Sequence, residues 1–441
     1  MPFTEILALV MIGAFFVMLL GGIPVAVCLG VTGLVFGYAG FGPFLFTLLP
    51  ARIFGVITNY TLLALPLFIF MGIMLEKSKI AEELLDVIGF AMGGLRGGMA
   101  LAIILVGVLM GAASGVVGAT VVTMGLIALG PVLNRGYDTG VACGVICASG
   151  TLGQIIPPSL VLILLADIMG ESVGTLFAAA LFPGLLLSGL FVAYVLALGF
   201  FKPASLPAIP AEERAALSGG DLAKKLLRVV LPPIALIVAV LGSIIGGVAA
   251  PTEAASMGAL GSIVLAAMSG KLSFPVMRDA VRGAFVTSAM VFLILIFAQP
   301  FGLAFRGLGG ENLVHDAFSM VPGGINGQIF FLMLLLFVLG FFLEWIEISY
   351  IALPLFLPIF MNAGVDMAWI AILVAVNLQT SFLTPPFGWA LFFLKGVAPP
   401  QVKTWDIYKG VLPFIGLQLI GLALVFSFPG LATWLPQAIG W

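Results

Sequence analysis

Apolar residues run along this chain in long blocks, and polar positions are confined to the short gaps between them. At about 20 residues for one crossing of the hydrocarbon, the blocks predict spanning helices near residues 5–22, 23–40, 58–77, 137–168, 174–201, 226–249, 250–270, 284–309, 366–398 and 408–430. Two further blocks, 97–133 and 326–362, are too long for a single crossing. Each is interrupted near its middle, by Ser114-Gly115 in one case and by Glu344 to Glu347 in the other. Two half-helices that enter and leave on the same side fit these blocks better than one bent span. Short amphipathic stretches at 79–94 and 273–283 are expected to lie in the interface as arms.

Composition narrows the class. Residues are 62% hydrophobic and only 8% charged, whereas a soluble domain carries roughly a quarter charged residues, so a water-facing surface of this size cannot be covered. The long blocks also argue against an outer-membrane barrel, whose strands alternate in short segments. A helical integral membrane protein, in contact with lipid on most sides, is what remains. A net charge of −2 leaves no basic stripe, and no nucleic-acid partner is expected. With both interrupted blocks re-entrant and the N-terminus outside, 15 of the 17 Lys and Arg residues fall on the cytoplasmic side, as the positive-inside rule requires. If either block crossed fully, everything after it would flip and that asymmetry would degrade. No Lys or Arg precedes the first apolar run, so residues 5–22 read as a retained span rather than a cleaved signal.

The halves repeat. GGIPVAVCLG around Pro24 returns as GGVAAPTEAASMG around Pro251, 227 residues on, and SGTLGQIIPPS around Pro157-Pro158 returns as QTSFLTPPFG around Pro385-Pro386, 228 residues on. An odd number of full crossings precedes the charged linker at 202–228, so the second copy enters from the opposite face. Inverted repeats with broken helices at mid-depth mark secondary transporters. The predicted organisation is scaffold spans and an arm over 1–96, a hairpin and broken helix over 97–168, a span at 169–201 and the linker at 202–228. The second copy follows as scaffold and arm at 229–325, hairpin and broken helix at 326–398, and a last span at 399–441.

Chemistry is sparse. Adjacent prolines remove two backbone donors and clash with the preceding turn, so the helix must break at Pro157-Pro158 and again at Pro385-Pro386. Each freed carbonyl in hydrocarbon costs several kcal/mol unless satisfied, and the small and hydroxyl residues beside both breaks would let a cation or solute approach. Hard cations favour such oxygen ligands. Glu344 and Glu347 are intramembrane acids, each open to three roles: cation ligand, proton carrier, or a tie for the backbone ends of the hairpin. Glu253 reads as a helix-start carboxylate, His315 as a solvated loop residue, and Asp167 and Glu171 as solvated or facing an external partner. Cys28, Cys143 and Cys147 read as packing residues, with no disulfide framework. Neither a nucleotide-binding P-loop nor a nucleophile–base set is present, so no enzyme is expected and no cofactor.

With these residues in hand, the chain resembles the large membrane subunit of tripartite ATP-independent periplasmic (TRAP) transporters over essentially its whole length. LMGAASGVVGATVVTMG, ASGTLGQIIPPSLVLIL, GVAAPTEAASMGA, FLEWIEISYIALPLFLPIF and LQTSFLTPPFGWALFFLKGVAP match family patterns in order. The resemblance implies an elevator-type carrier of the wider ion-transporter class in the bacterial inner membrane, importing organic acids with sodium as the coupling ion. It implies a first cation site at Ser114 and Gly115 with Ser149, Gly150 and Thr151, and a second at Glu344 with Thr380, Ser381 and Thr384. Substrate is expected beside Gln154, Pro157, Pro158 and Ser159, and beside Pro385, Pro386 and Gly388. The implied partners are a small four-helix membrane subunit and a periplasmic substrate-binding protein, both expected as separate chains. Competing readings are a stand-alone cation-coupled anion symporter and, from another class, a membrane-embedded enzyme or scaffold.

Overall fold

Backbone in hydrocarbon must satisfy its own N–H and C=O groups, and this chain does so with helices. The structure is a computed structural model that describes residues 2–210, 212 and 219–441, with the side chains of Ala113 and Ser114 outside the described part. No strand occurs among the described residues. Eight helices are long and apolar enough to cross a bilayer among those described. Pro24 precedes the Val25–Phe41 helix and Pro251 opens the Pro251–Met268 helix, where a missing donor costs nothing. These two repeat mates pack crosswise. Val25–Phe41 lies along Phe274–Gly307 of the second half, and Pro251–Met268 along Ala64–Lys77 of the first. The inverted repeat is therefore visible as an interlock of the two halves.

Both interrupted blocks are re-entrant. In the first, Gly98–Ser114 leads in and Val117–Asn134 leads out. Its ends meet: the Gly97 N–H donates to the Leu206 carbonyl, the Asp138 N–H to the Ser205 carbonyl, and the Tyr137 hydroxyl accepts from the Met99 N–H. In the second, Gly324–Leu339 leads in and Trp345–Asn362 leads out. The Phe318 ring touches Phe331 at the entry together with Phe356 and Phe360 at the exit. Each return arm carries a π-helical turn, Gly125–Leu129 before Pro131 and Ile348–Ala352 before Pro354. A proline with no N–H to give the carbonyl four residues back accounts for both.

The prolines break two more helices as expected. Thr139–Thr151 and Leu160–Met169 flank the first break, Met367–Leu383 and Trp389–Val397 the second, and both Pro-Pro peptide bonds are cis. One of the two expected arms needs correction. The first arm forms as Ile80–Met92, bent 61° from the preceding helix. Residues 273–283, however, are no separate arm. Ser273 caps a 34-residue helix, Phe274–Gly307, that runs on unbroken because no strong breaker follows its opening proline until Pro300. The amphipathic helix that enters the second hairpin is Gly310–Ser319, which the sequence reading leaves as a loop around His315. The matching stretch of the first half is split instead into Leu45–Ile57 and Ala64–Lys77, where the Asn59 side chain accepts from the Thr61 N–H at 2.9 Å and holds a turn.

Small residues let these elements close up, as helix packing in lipid favours. A Cβ on Gly410 would lie 1.8 Å from the Gly140 carbonyl oxygen, where the last long helix crosses the first broken one. Gly410→Ala is expected to destabilise the protein by about 1–3 kcal/mol through overpacking, seen as a lower melting temperature in detergent. An unchanged melting temperature would show that the two helices do not touch here.

Candidate functional site

The first hairpin closes directly on the first break. A Cβ on Gly111 would sit 2.5 Å from the Gly153 Cα, so the end of the entering half-helix lies against the backbone just ahead of the break. Gly115, at φ +62°, turns the chain at the tip and brings it against the N-terminus of Leu160–Met169. Ser114 ends the entering half-helix, and its side chain lies outside the described residues. The same relation recurs in the second half, where Gly340 faces the Ser381 side chain.

The hydroxyls beside the breaks share one pattern. Ser149 donates to the Ile146 carbonyl, Thr151 to Ala148, Ser159 to Gln154, Thr380 to Val376, Ser381 to Leu378 and Thr384 to Thr380. Their protons are thereby committed, and what each oxygen has left is acceptor capacity. That is a donor set a hard monovalent cation suits.

At the centre the two repeats are joined by polar atoms. The Thr151 oxygen accepts from Gln379 Nε2 at 3.3 Å and from Gln418 Nε2 at 3.2 Å. Thr151 and Gln379 occupy equivalent positions of the two copies, so this bond crosses the pseudo-two-fold axis. All three side chains are fully buried. Gln154, also fully buried, has neither amide atom partnered, and the Gln379 and Gln418 carbonyl oxygens are unpartnered too. Buried polar groups are normally satisfied, so this amide cluster marks a place kept polar at a cost.

The second tip faces a cavity of about 330 Å³ between the scaffold and the second broken helix. Its scaffold wall is apolar, with Pro24 and Val25 on one side and Met290 and Leu293 on the other. Glu344, Glu347 and Trp389 form the opposite wall. Glu344 stands at the N-terminal end of the short helix that follows it, its side chain making no capping hydrogen bond, and Glu347 is 4% exposed. The Trp389 indole N–H points at no acceptor.

Of the residues predicted for the cation and substrate sites, Glu344 is the one that lines this cavity. Gln154, Pro157, Pro158 and Ser159 are sealed inside the fold, whereas Pro386 and Phe387 at the second break are exposed and Pro385 is half-exposed. Gly388 is buried, its Cα close under the Phe382 carbonyl. Glu253 caps its own helix, accepting from the Ala250 N–H, and His315 is exposed, both as read from the sequence. Asp167 is half-buried and has internal partners: it accepts from Asn59 Nδ2 and from the Tyr350 hydroxyl, tying the first broken helix to the scaffold and to the second hairpin. Sequence reasoning passed over Trp389, Gln379 and Gln418 as site residues. A count of amides inside apolar blocks is the signal that could have found the glutamines.

Thr151→Val removes the shared acceptor while keeping the volume, and it strands two buried amides. A loss of about 1–3 kcal/mol is expected, read as a lower melting temperature, and Gln379→Leu added to it should recover part of that loss. Equal stability of Thr151→Val and the native chain would show that the bond carries nothing.

Comparison with known proteins agrees with this architecture. Residues 12–431 match the family described as the DctM component of the tripartite ATP-independent periplasmic transporter. The C4-dicarboxylate TRAP transporter large permease protein DctM of Vibrio cholerae is 30% identical over 96% of both chains. The isethionate TRAP transporter permease protein DctMQ of Oleidesulfovibrio alaskensis is 30% identical over 96% of this chain and 65% of its own length. Among solved structures, the YdaH transporter of Alcanivorax borkumensis superposes with a TM-score of 0.61 over 98% of this chain and 99% of its own, at 15% identity, a likeness of fold alone. The chain belongs to the DctM family and is a large permease component of a TRAP transporter, a multi-pass membrane carrier subunit and not an enzyme.

Proposed function

We propose that this subunit forms the path by which a small organic acid enters a bacterial cell, drawn by a sodium gradient. The hairpins, the broken helices and the spans packed on them would move as one body against a scaffold built from the interlocked helices of residues 3–77 and 231–307. The observation that carries the reading is the cavity between the second tip and the scaffold: one wall is apolar and the other presents carboxylates beside a broken helix. A smooth apolar wall offers a moving domain little to break. Loss of the Asp167 ties to Asn59 and Tyr350 would accompany the motion.

Sodium would be held by the hydroxyl oxygens at the breaks, Ser149 with the Gly115 tip, and Thr380, Ser381 and Thr384 with Glu344, whereas the Thr151 oxygen is already filled by the two glutamine amides. No Lys, Arg or His lines the cavity, so an anionic solute would take its charge balance from helix N-termini, hydroxyls and the bound cation. The Pro385-Pro386 segment, half-exposed at Pro385 and exposed at Pro386, is the contact proposed for it. Relatives are named for a C4-dicarboxylate, for isethionate and for ectoine, so the choice of solute would be left to a periplasmic binding protein. A small four-helix membrane subunit would complete the assembly, and the distribution of basic residues supports a periplasmic N-terminus.

Reconstituted uptake with both partners supplied tests this. Ser149→Ala or Thr384→Ala should raise the sodium concentration for half-maximal uptake about three- to tenfold, the equivalent of roughly 1 kcal/mol per lost ligand. Sodium activation curves identical to the native ones would remove these hydroxyls from the cation sites. Affinity purification that brings down no small helical subunit would favour a carrier that works alone.

A further inference from the structure

The linker does more than join the repeats. Its last part is the helix Gly219–Val229, and the three faces of that helix meet three different surroundings. Leu222, Leu226 and Val229 are half-buried against the Ile80–Met92 arm, four and three residues apart on one side. Leu227 and, one turn on, Leu231 are 68% and 52% exposed, an apolar edge with no protein to cover it. Lys224, Lys225 and Arg228 form the third face and are exposed. Among the described residues none of these three cations has a carboxylate partner.

Beside Arg228 lies a cleft of about 240 Å³, closed at its base by Pro232, Pro233 and Met268 and edged by Ser269 and Glu83. The Glu83 charge is already answered by Lys271 at 3.5 Å. The cleft therefore presents a guanidinium and a hydroxyl where the linker helix meets Leu231–Ile245, with exposed Leu227 and Leu231 flanking Arg228 along the chain. An aqueous anion would need the charges but not the leucines. An amphiphile needs both.

We infer that the Gly219–Val229 helix and this cleft form a binding site for the headgroup of an anionic phospholipid, with the phosphate on Arg228, Lys224 and Lys225 and an acyl chain along Leu227 and Leu231. The site lies on the scaffold side and is independent of the solute path. Its occupant anchors the linker and the first arm to the bilayer surface while the rest of the chain works.

The test uses the purified full chain in an uncharged detergent at low ionic strength, titrated with phosphatidylglycerol or with phosphatidylcholine while the melting temperature is followed. Phosphatidylglycerol should raise it and phosphatidylcholine should not. In Lys224→Gln/Lys225→Gln/Arg228→Gln the concentration for half the shift should rise by about fivefold for each charge removed, from the roughly 1 kcal/mol that a basic residue gains at an anionic surface. The charge-keeping variant Lys224→Arg/Lys225→Arg/Arg228→Lys should titrate as the native chain does, which separates lost charge from lost folding. A triple glutamine variant with the native titration would overturn the site. A shift reproduced in full by inorganic phosphate would overturn the lipid as its occupant.

Discussion

The structure depends on how unpaired backbone is satisfied at mid-depth in a membrane. Two adjacent prolines interrupt a helix twice, and each break would leave carbonyls facing hydrocarbon at several kcal/mol apiece. The fold answers by sending a hairpin to each break from opposite faces. Glycine at the end of the entering half-helix, Gly111 against Gly153 and Gly340 against Ser381, lets the backbones come close enough for the break to be sealed by protein. The elements packed on the hairpins and the broken helices are arranged around that requirement.

Sealing is unequal, and the inequality gives the two halves different work. At the first break Gln154 to Ser159 are buried, and Thr151 gathers Gln379 and Gln418 into a hub across the pseudo-two-fold axis. At the second, Pro386 is exposed and the tip opposite carries two carboxylates over a cavity. An inverted repeat makes the two sites related in backbone. Side chains then make one a joint and the other an opening.

The scaffold shows the same division between symmetric backbone and asymmetric detail. Helices Val25–Phe41 and Pro251–Met268 correspond, and each packs on the other half. Yet one copy of the following element is a single 34-residue helix and the other is split at Asn59. The split puts Asn59 where it can donate to Asp167, a link across the boundary between scaffold and broken helix that has no counterpart at the unbroken position among the described residues.

Much was legible without coordinates, for physical reasons that act locally. Hydrocarbon thickness sets span length, proline forbids helix continuation, and charge asymmetry orients loops, so the hairpins, both breaks, the repeat and the family follow from residues read in order. Failures came where the decision was not local. Whether residues 273–283 form an arm or the first turns of a longer helix depends on what lies beside them, and Gly310–Ser319 is helical because Phe318 has three rings to pack on. Asp167 looks like any acid at a helix end until folding brings Asn59 and Tyr350 to it from 108 residues before and 183 after. Which hydroxyls and amides converge, which break is sealed and where the cavity lies were settled only by tertiary structure, because side chains hundreds of residues apart share no signal along the chain until helices bring them into contact.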